Sequence, residues 1–120
     1  VRGIMLEECA KSLLLKAKDE FVLVVLSGAE TLNSKKFKRV HGAKDLRFAS
    51  PAEVRTRMGC IVGACYPFGS VIGLKTYLNT TMLRQNRISF NPGLHHKTIK
   101  IKLKDYMKIE NPIIADISSC

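Results

Sequence analysis

Two apolar runs on either side of the polar stretch Lys16-Ala17-Lys18-Asp19 constrain this chain more than any other feature. The second run, Phe21-Val22-Leu23-Val24-Val25-Leu26, is β-branched and apolar at odd and even positions alike, the pattern of a strand buried on both faces. The first, Ser12-Leu13-Leu14-Leu15, is too short for an independent helix and reads as a strand entered from a short amphipathic helix over residues 4–10. Together they predict a hairpin at the centre of a sheet.

Downstream, the signals are local. Ser27-Gly28 ends the second run, and Asn33-Ser34 can cap a basic helix over residues 35–40 that stops at Gly42. Leu46-Arg47-Phe48 predicts a short strand. Ser50-Pro51-Ala52-Glu53 has the form of a capping box with proline at the first helical position, so a helix should run to about Met58 and end at Gly59. From Cys60 to Gly73 neither period two nor period 3.6 fits. The segment reads as a glycine-rich loop of the kind compact domains keep for function, or as a bend between strands. Strands are predicted over residues 74–78 and 87–90, with a turn of helix at 80–83 between them. In Ile99-Lys100-Ile101-Lys102-Leu103-Lys104 the alternation predicts a strand with one face in the core. A last helix over 105–109 and a closing strand over 113–117 complete the reading. These elements fit one domain over residues 1–120, of α+β class, with a strongly curved, mixed or mainly antiparallel sheet flanked by short helices.

Twenty Lys and Arg against ten Asp and Glu give a net charge of +10. A field of that size favours polyanions, nucleic acid first, although a generically basic surface has the same composition. The cysteines Cys9, Cys60, Cys65 and Cys120 contain no C-x-x-C, and three histidines complete no zinc ligand set, so neither metal nor cofactor is expected. No apolar run approaches the ~20 residues that span a bilayer. A cytoplasmic location with reduced thiols, away from membranes, is the default expectation. The chain has no G-x-S-x-G elbow, no H-x-E with P-C-x-x-C, and no Walker or dinucleotide fingerprint.

Two segments instead carry a resemblance. Ala10-Lys11-Ser12-Leu13-Leu14-Leu15-Lys16 is followed, about fifty residues after its first lysine, by the G-x-x-x-P of Gly63-Ala64-Cys65-Tyr66-Pro67, itself within Gly59-Cys60-Ile61-Val62-Gly63-Ala64-Cys65-Tyr66-Pro67-Phe68-Gly69. In this order they resemble the YbaK/ProX-type family of aminoacyl-tRNA deacylases, which includes the inserted editing domain of bacterial prolyl-tRNA synthetases. There a lysine opens a strand in an I-x-K-[ST]-L setting and a G-x-x-x-P loop follows. The likeness continues through Gly28, the Lys35-Lys36 helix, the Ser50-Pro51-x-Glu53 helix, Ser89-Phe90-Asn91-Pro92-Gly93 and Asp105-Tyr106. Two departures stand out. The sequence begins at what resembles the end of the family's usual N-terminal strand and helix, as expected of either a truncated sequence or a minimal domain, and an acidic residue common in the segment 76–79 is here Asn79, so that any charge role there should be lost.

The resemblance implies an editing hydrolase that cleaves the ester between a wrongly attached small amino acid, such as alanine, cysteine or serine, and the 3′-terminal ribose of tRNA, most often tRNA for proline. Such an ester is already activated. The protein need only hold the carbonyl, position a water or the neighbouring ribose hydroxyl, and stabilise the oxyanion, a task suited to main-chain amides of a glycine-rich loop. On this basis Lys11, Gly63 and Pro67 are the implied catalytic set, and Ala64, Cys65, Tyr66, Phe68, Gly69, Gly93 and His95 the implied substrate contacts. Without the resemblance, Lys11 would read as a solvated strand-edge lysine. No sequence neighbour would lower the Cys65 pKa, so it is assigned to the pocket wall rather than to a nucleophile. His41 and His96 read as surface residues. Lys35, Lys36, Lys38 and Arg39 are candidate contacts to the tRNA backbone, while Lys100, Lys102 and Lys104 fit either that role or a solvated face. The implied partners are the acceptor end of aminoacyl-tRNA and prolyl-tRNA synthetase. The competing reading is a catalytically silent tRNA-binding or synthetase-associated module of the same fold.

Overall fold

The computed structural model describes residues 6–60, 65–91 and 97–119. Strands β1 (Ala10–Ala17) and β2 (Glu20–Ser27) form the predicted hairpin, antiparallel from Ala10 opposite Ser27 to Ala17 opposite Glu20. The connection is shorter than expected. Lys16 and Ala17 belong to β1, and only Lys18 and Asp19 turn the chain, with Lys18 at φ 59° and its amide donating to Asp45 O at 3.0 Å. A 3-10 turn, Leu6–Glu8, leads into β1.

The two-sided burial read from β2 is borne out residue by residue. Val22, Val24 and Leu26 are fully buried with Leu15, Phe37, Tyr77 and Ile117, whereas Leu23 and Val25 pack with Leu14, Val54, Met58, Leu78, Ile88 and Tyr106. Each such side chain contributes about 1.5–3 kcal/mol on burial, which makes this hairpin the centre of the fold.

Around it are β3 (Thr31–Leu32), α1 (Ser34–His41), β4 (Leu46–Phe48), α2 (Pro51–Met58), β5 (Thr76–Asn79), β6 (Arg87–Phe90), β7 (Ile99–Lys102), α3 (Leu103–Glu110), β8 (Ile113–Ala115) and β9 (Ser118–Ser119). The main sheet runs β4-β1-β2-β5-β8. It is mixed: β1 is antiparallel to β4 and β2, and β5 is parallel to β2 and β8. β3 pairs with β9, and β6 with β7. Helix α1 supplies Phe37 to one face of the main sheet; α2 and α3 supply Val54, Met58 and Tyr106 to the other. Both capped helices form where predicted. Asn33 Oδ1 accepts from Lys36 N at 3.1 Å, and Gly42 closes α1 at φ 87°.

The predicted strand over 99–104 is corrected. It stops at Lys102: Leu103, opposite Asn86 in the same register, still donates its N–H to Asn86 O at 2.9 Å but already starts α3. Leu103, Tyr106 and Met107 then enter the core at helical spacing, so Leu103 ends the alternating pattern and begins the helical one. Ile99 stays 41% exposed, and only Ile101 of the alternating aliphatics packs inward from β7. The closing strand also ends early, at Ala115, since Ile117 N turns aside to Asn79 Oδ1 at 2.9 Å. No helix among the described residues is long and apolar enough to cross a membrane.

Candidate functional site

In open α/β sheets ligands collect beyond the carboxyl ends of the parallel strands. Here β2, β5 and β8 end on the same side, and β1, running the opposite way, starts there. Lys11, the second residue of β1, is thereby placed among the carboxyl ends. Its Nζ donates to the main-chain carbonyl of Glu30, in the turn that follows β2. The Glu30 carboxylate accepts from Ser27 N at 3.1 Å, Asn79 Nδ2 at 3.1 Å and Thr81 Oγ1 at 2.5 Å. Asn79, fully buried, also donates to Thr81 Oγ1 and Ser118 Oγ and accepts from Ile117 N. Burial alone would raise the Glu30 pKa; the hydrogen bonds from Thr81, Ser27 and Asn79 outweigh it and hold the carboxyl below its usual range. Residue 79 itself carries no charge, and a carboxylate from a different segment, Glu30, stands against its amide.

The described part of the glycine-rich loop is fixed from several sides. Tyr66 OH donates to Met58 O at 2.7 Å, tying the loop to the end of α2. Tyr106 OH donates to Pro67 O at 2.7 Å, and Phe68 stands edge-on to Tyr106 and Phe90 at 5.2 and 5.3 Å. Burial, and next the Glu110 charge, push the Tyr106 hydroxyl far above its ordinary pKa, which keeps it a donor. Gly69 N donates to Thr76 Oγ1 at 2.9 Å, and a Cβ on Gly69 would stand 2.5 Å from that oxygen, so only glycine fits. Thr76 in turn donates to buried Glu110, which also receives Ser70 N and Oγ. Cys60 and Cys65, whose Cα atoms lie 5.7 Å apart, form a disulfide, which corrects the expectation of reduced thiols. Gly63, Ala64, Gly93 and His95, and with them His96, lie outside the described residues.

A cavity of about 260 Å³ opens beside the first half of β1, lined by Ser12, Leu13, Leu14, Ala49, Val54 and Cys65 among others. β4 pairs with β1 from Leu15 to Ala17, Ala49 N donates to Leu14 O at 2.9 Å, and the Cys9–Ser89 bridge brings β6 against the start of β1, so among the described residues no strand pairing covers the edge at residues 10–13. The Ser12 hydroxyl is buried there without a hydrogen-bond partner. Strand alternation sends Ser12 and Leu14 to the Cys65 face and Lys11, opposite Leu26, to the other. The Lys11 ammonium and the Cys65 wall are thus on adjacent residues' opposite faces of one open-edged strand.

The basic residues divide. Lys35 and Arg39 are exposed, while Lys36 is tied to Asp116 at 3.3 Å and to Ser118 O at 3.0 Å. Lys38 instead joins Lys16, Lys18, Lys44 and Arg47 around a cleft of about 390 Å³, a grouping that no local pattern announces. His41 is not a free surface residue: it stacks on Phe37 at 5.7 Å, with Nε2 3.4 Å from Glu20. Among the described residues no three His, Cys, Asp or Glu side chains are grouped to hold a metal ion.

A family model for the aminoacyl-tRNA editing domain matches residues 1–109. The multifunctional Ser/Thr-tRNA deacylase ProXp-y of Escherichia coli (strain K12) is 32% identical over 117 residues, covering 93% of this chain and 70% of that protein. The proline--tRNA ligase of Geobacillus sp. (strain WCH70) is 40% identical over 63 residues, 52% of this chain and 11% of the ligase. A crystal structure described as a trans-editing enzyme for prolyl tRNA synthetase superposes with a TM-score of 0.90 at 25% identity, over 98% of this chain and 74% of the other. By sequence and by fold, the chain belongs to the aminoacyl-tRNA editing domain family.

Proposed function

We propose that this chain hydrolyses the ester of tRNA carrying a wrong, small amino acid, with Lys11 as the cation that meets the substrate. Aminoacyl-tRNA ester hydrolysis is the activity its family membership and its deacylase relative support. The observation that supports this site is that Lys11 starts β1 at the carboxyl ends of the parallel strands, next to Ser12, which lines the cavity on the other face of the same strand. That cavity suits a small side chain, and the partnerless Ser12 hydroxyl gives it one polar group, consistent with alanine, cysteine, serine or threonine as the residue removed. Lys11 would orient the ester through a ribose hydroxyl or terminal phosphate, and amides of the 63–67 loop would stabilise the oxyanion. Lys35, Lys38 and Arg39, with the lysines around the Asp45 cleft, would contact the tRNA backbone in the cytoplasm, where prolyl-tRNA synthetase is the enzyme whose errors it corrects.

One observation favours the rival, silent module: the Lys11 ammonium is engaged by Glu30 on the face away from Cys65. A deacylation panel separates the two. Alanyl, cysteinyl, seryl and threonyl esters of tRNA for proline are incubated with the wild type and with Lys11→Ala. The wild type should release at least one amino acid, and the variant should be slower by on the order of a hundredfold, the effect of losing one electrostatic contact to the reacting centre. If every ester survives while the tRNA is bound, the chain is a binding module.

A further inference from the structure

We propose that Glu30 is the positioning residue of this site: its carboxylate clamps the 27–30 turn onto the end of β5, and the carbonyl of the same residue sets the ammonium of Lys11. The inference rests on reading Lys11 as the group that meets the ester. A lysine stem carries about 2 kcal/mol of rotamer entropy, so its charge is placed only as well as its acceptor is placed. That acceptor is a loop carbonyl, and loops move. The turn has its own short-range bonds, Glu30 N to Ser27 O at 3.1 Å and Ala29 N to Ser27 Oγ at 3.2 Å. Gly28 N donates to Cys9 O at 2.9 Å at one end of the turn, and the Glu30 side chain ties the other end to the core through Asn79 and Thr81, 49 and 51 residues away. Asn79 is fully buried and fixed in turn by Ile117 N and Ser118 Oγ, so the chain of contacts from Lys11 ends in the sheet itself.

The polarity of this clamp makes it testable. Ser27 N–H, Asn79 Nδ2 and Thr81 O–H all point at Glu30, and an ionised carboxylate, which only accepts, satisfies all three. Asn79→Asp sets two carboxylates against each other. Adding Glu30→Gln restores an amide–carboxylate pair across the same gap, with the new amide also facing the Ser27 N–H that shared Oε1, so the repair is partial.

Two readouts are needed. The first, independent of catalysis, is the rate at which an amine-reactive acetylating reagent modifies Lys11, followed by peptide mass spectrometry. The second is steady-state hydrolysis of the four esters above. Glu30→Ala and Asn79→Asp, checked for folding by thermal unfolding, should each speed acetylation of Lys11 several-fold. Each should also lower kcat by about tenfold or more while changing KM little, as misplacement of a reacting group does. The double variant Glu30→Gln/Asn79→Asp should recover both in part relative to Asn79→Asp alone. If Glu30→Ala does not fold, Glu30→Gln and Asn79→Asp with their double variant complete the cycle. Unchanged acetylation in folded variants, or a kcat loss that the double variant does not relieve, overturns the proposal. Should the wild type cleave no ester while the acetylation pattern holds, the positioning role stands and the deacylase reading falls.

Discussion

Helix α2 and the cluster around Lys11 are both held by side-chain hydrogen bonds, yet they are assembled from opposite kinds of sequence. The α2 cap closes between residues three apart: Ser50 Oγ accepts from Glu53 N at 3.1 Å, and Glu53 Oε1 accepts from Ser50 N at 2.8 Å. The Lys11 cluster draws on four separate segments, with Asn79 reaching Ser118 across 39 residues. Where the cap is solvated, water can replace a lost partner. Inside the cluster nothing can, because Asn79 is sealed from solvent. The cap should therefore fail gradually and alone, and the cluster together and at greater cost.

The sharpest way to break that contrast is Asn79→Ala. It removes the partner of Ile117 N and unties Glu30, Thr81 and Ser118 at once. A buried donor left unpaired costs roughly 1–3 kcal/mol by itself, so a total loss of about 3 kcal/mol is expected in urea unfolding. A loss below about 1 kcal/mol would mean that the cluster relaxes as easily as a surface cap does.

The same contrast explains what could be read from the chain beforehand. Ser50-Pro51-Ala52-Glu53 and Asn33-Ser34 announce their helices because a cap needs only neighbours in sequence, and the double-faced burial of β2 shows in its unbroken apolar run. The pattern over 99–104 misleads because Leu103 satisfies both periods, and its helical partners Tyr106 and Met107 lie beyond the alternating run. Glu30 was overlooked altogether: in sequence it is a lone carboxylate after Ser27-Gly28, and only the adjacency of β2 and β5 brings it to Asn79. Lys11 was singled out by family likeness, not by its surroundings. The disulfide is not legible in the sequence because Cys60 and Cys65, five residues apart, form no C-x-x-C and no local signal pairs them.

Ser50→Ala tests the other side of the comparison. Loss of the hydroxyl should cost about 1 kcal/mol, the usual value of an N-cap, and should leave the Lys11 acetylation rate unchanged. Hydrogen exchange should show extra opening confined to the first turn of α2. A faster reaction at Lys11 in this variant would mean that cap and cluster are coupled, and the division drawn here would fail.

The smallest effect concerns Glu53 and acid. The fork of Arg47, at 2.7 and 2.9 Å, and then the Ser50 N–H hold its carboxyl down to about 2. In the unfolded chain a glutamate titrates near ~4.3. A folded pKa below the unfolded one means that the contribution is fully present above ~4.3 and is lost as pH falls through about 2. The stability difference between the wild type and Glu53→Gln should accordingly be flat from neutral pH to about 5, then shrink toward pH 2. Because the pair is exposed, added salt should reduce the difference at every pH. A difference that stayed constant down to pH 2 would show that Glu53 acts only as a neutral hydrogen-bond acceptor in the capping box, and that charge adds nothing to the helix start.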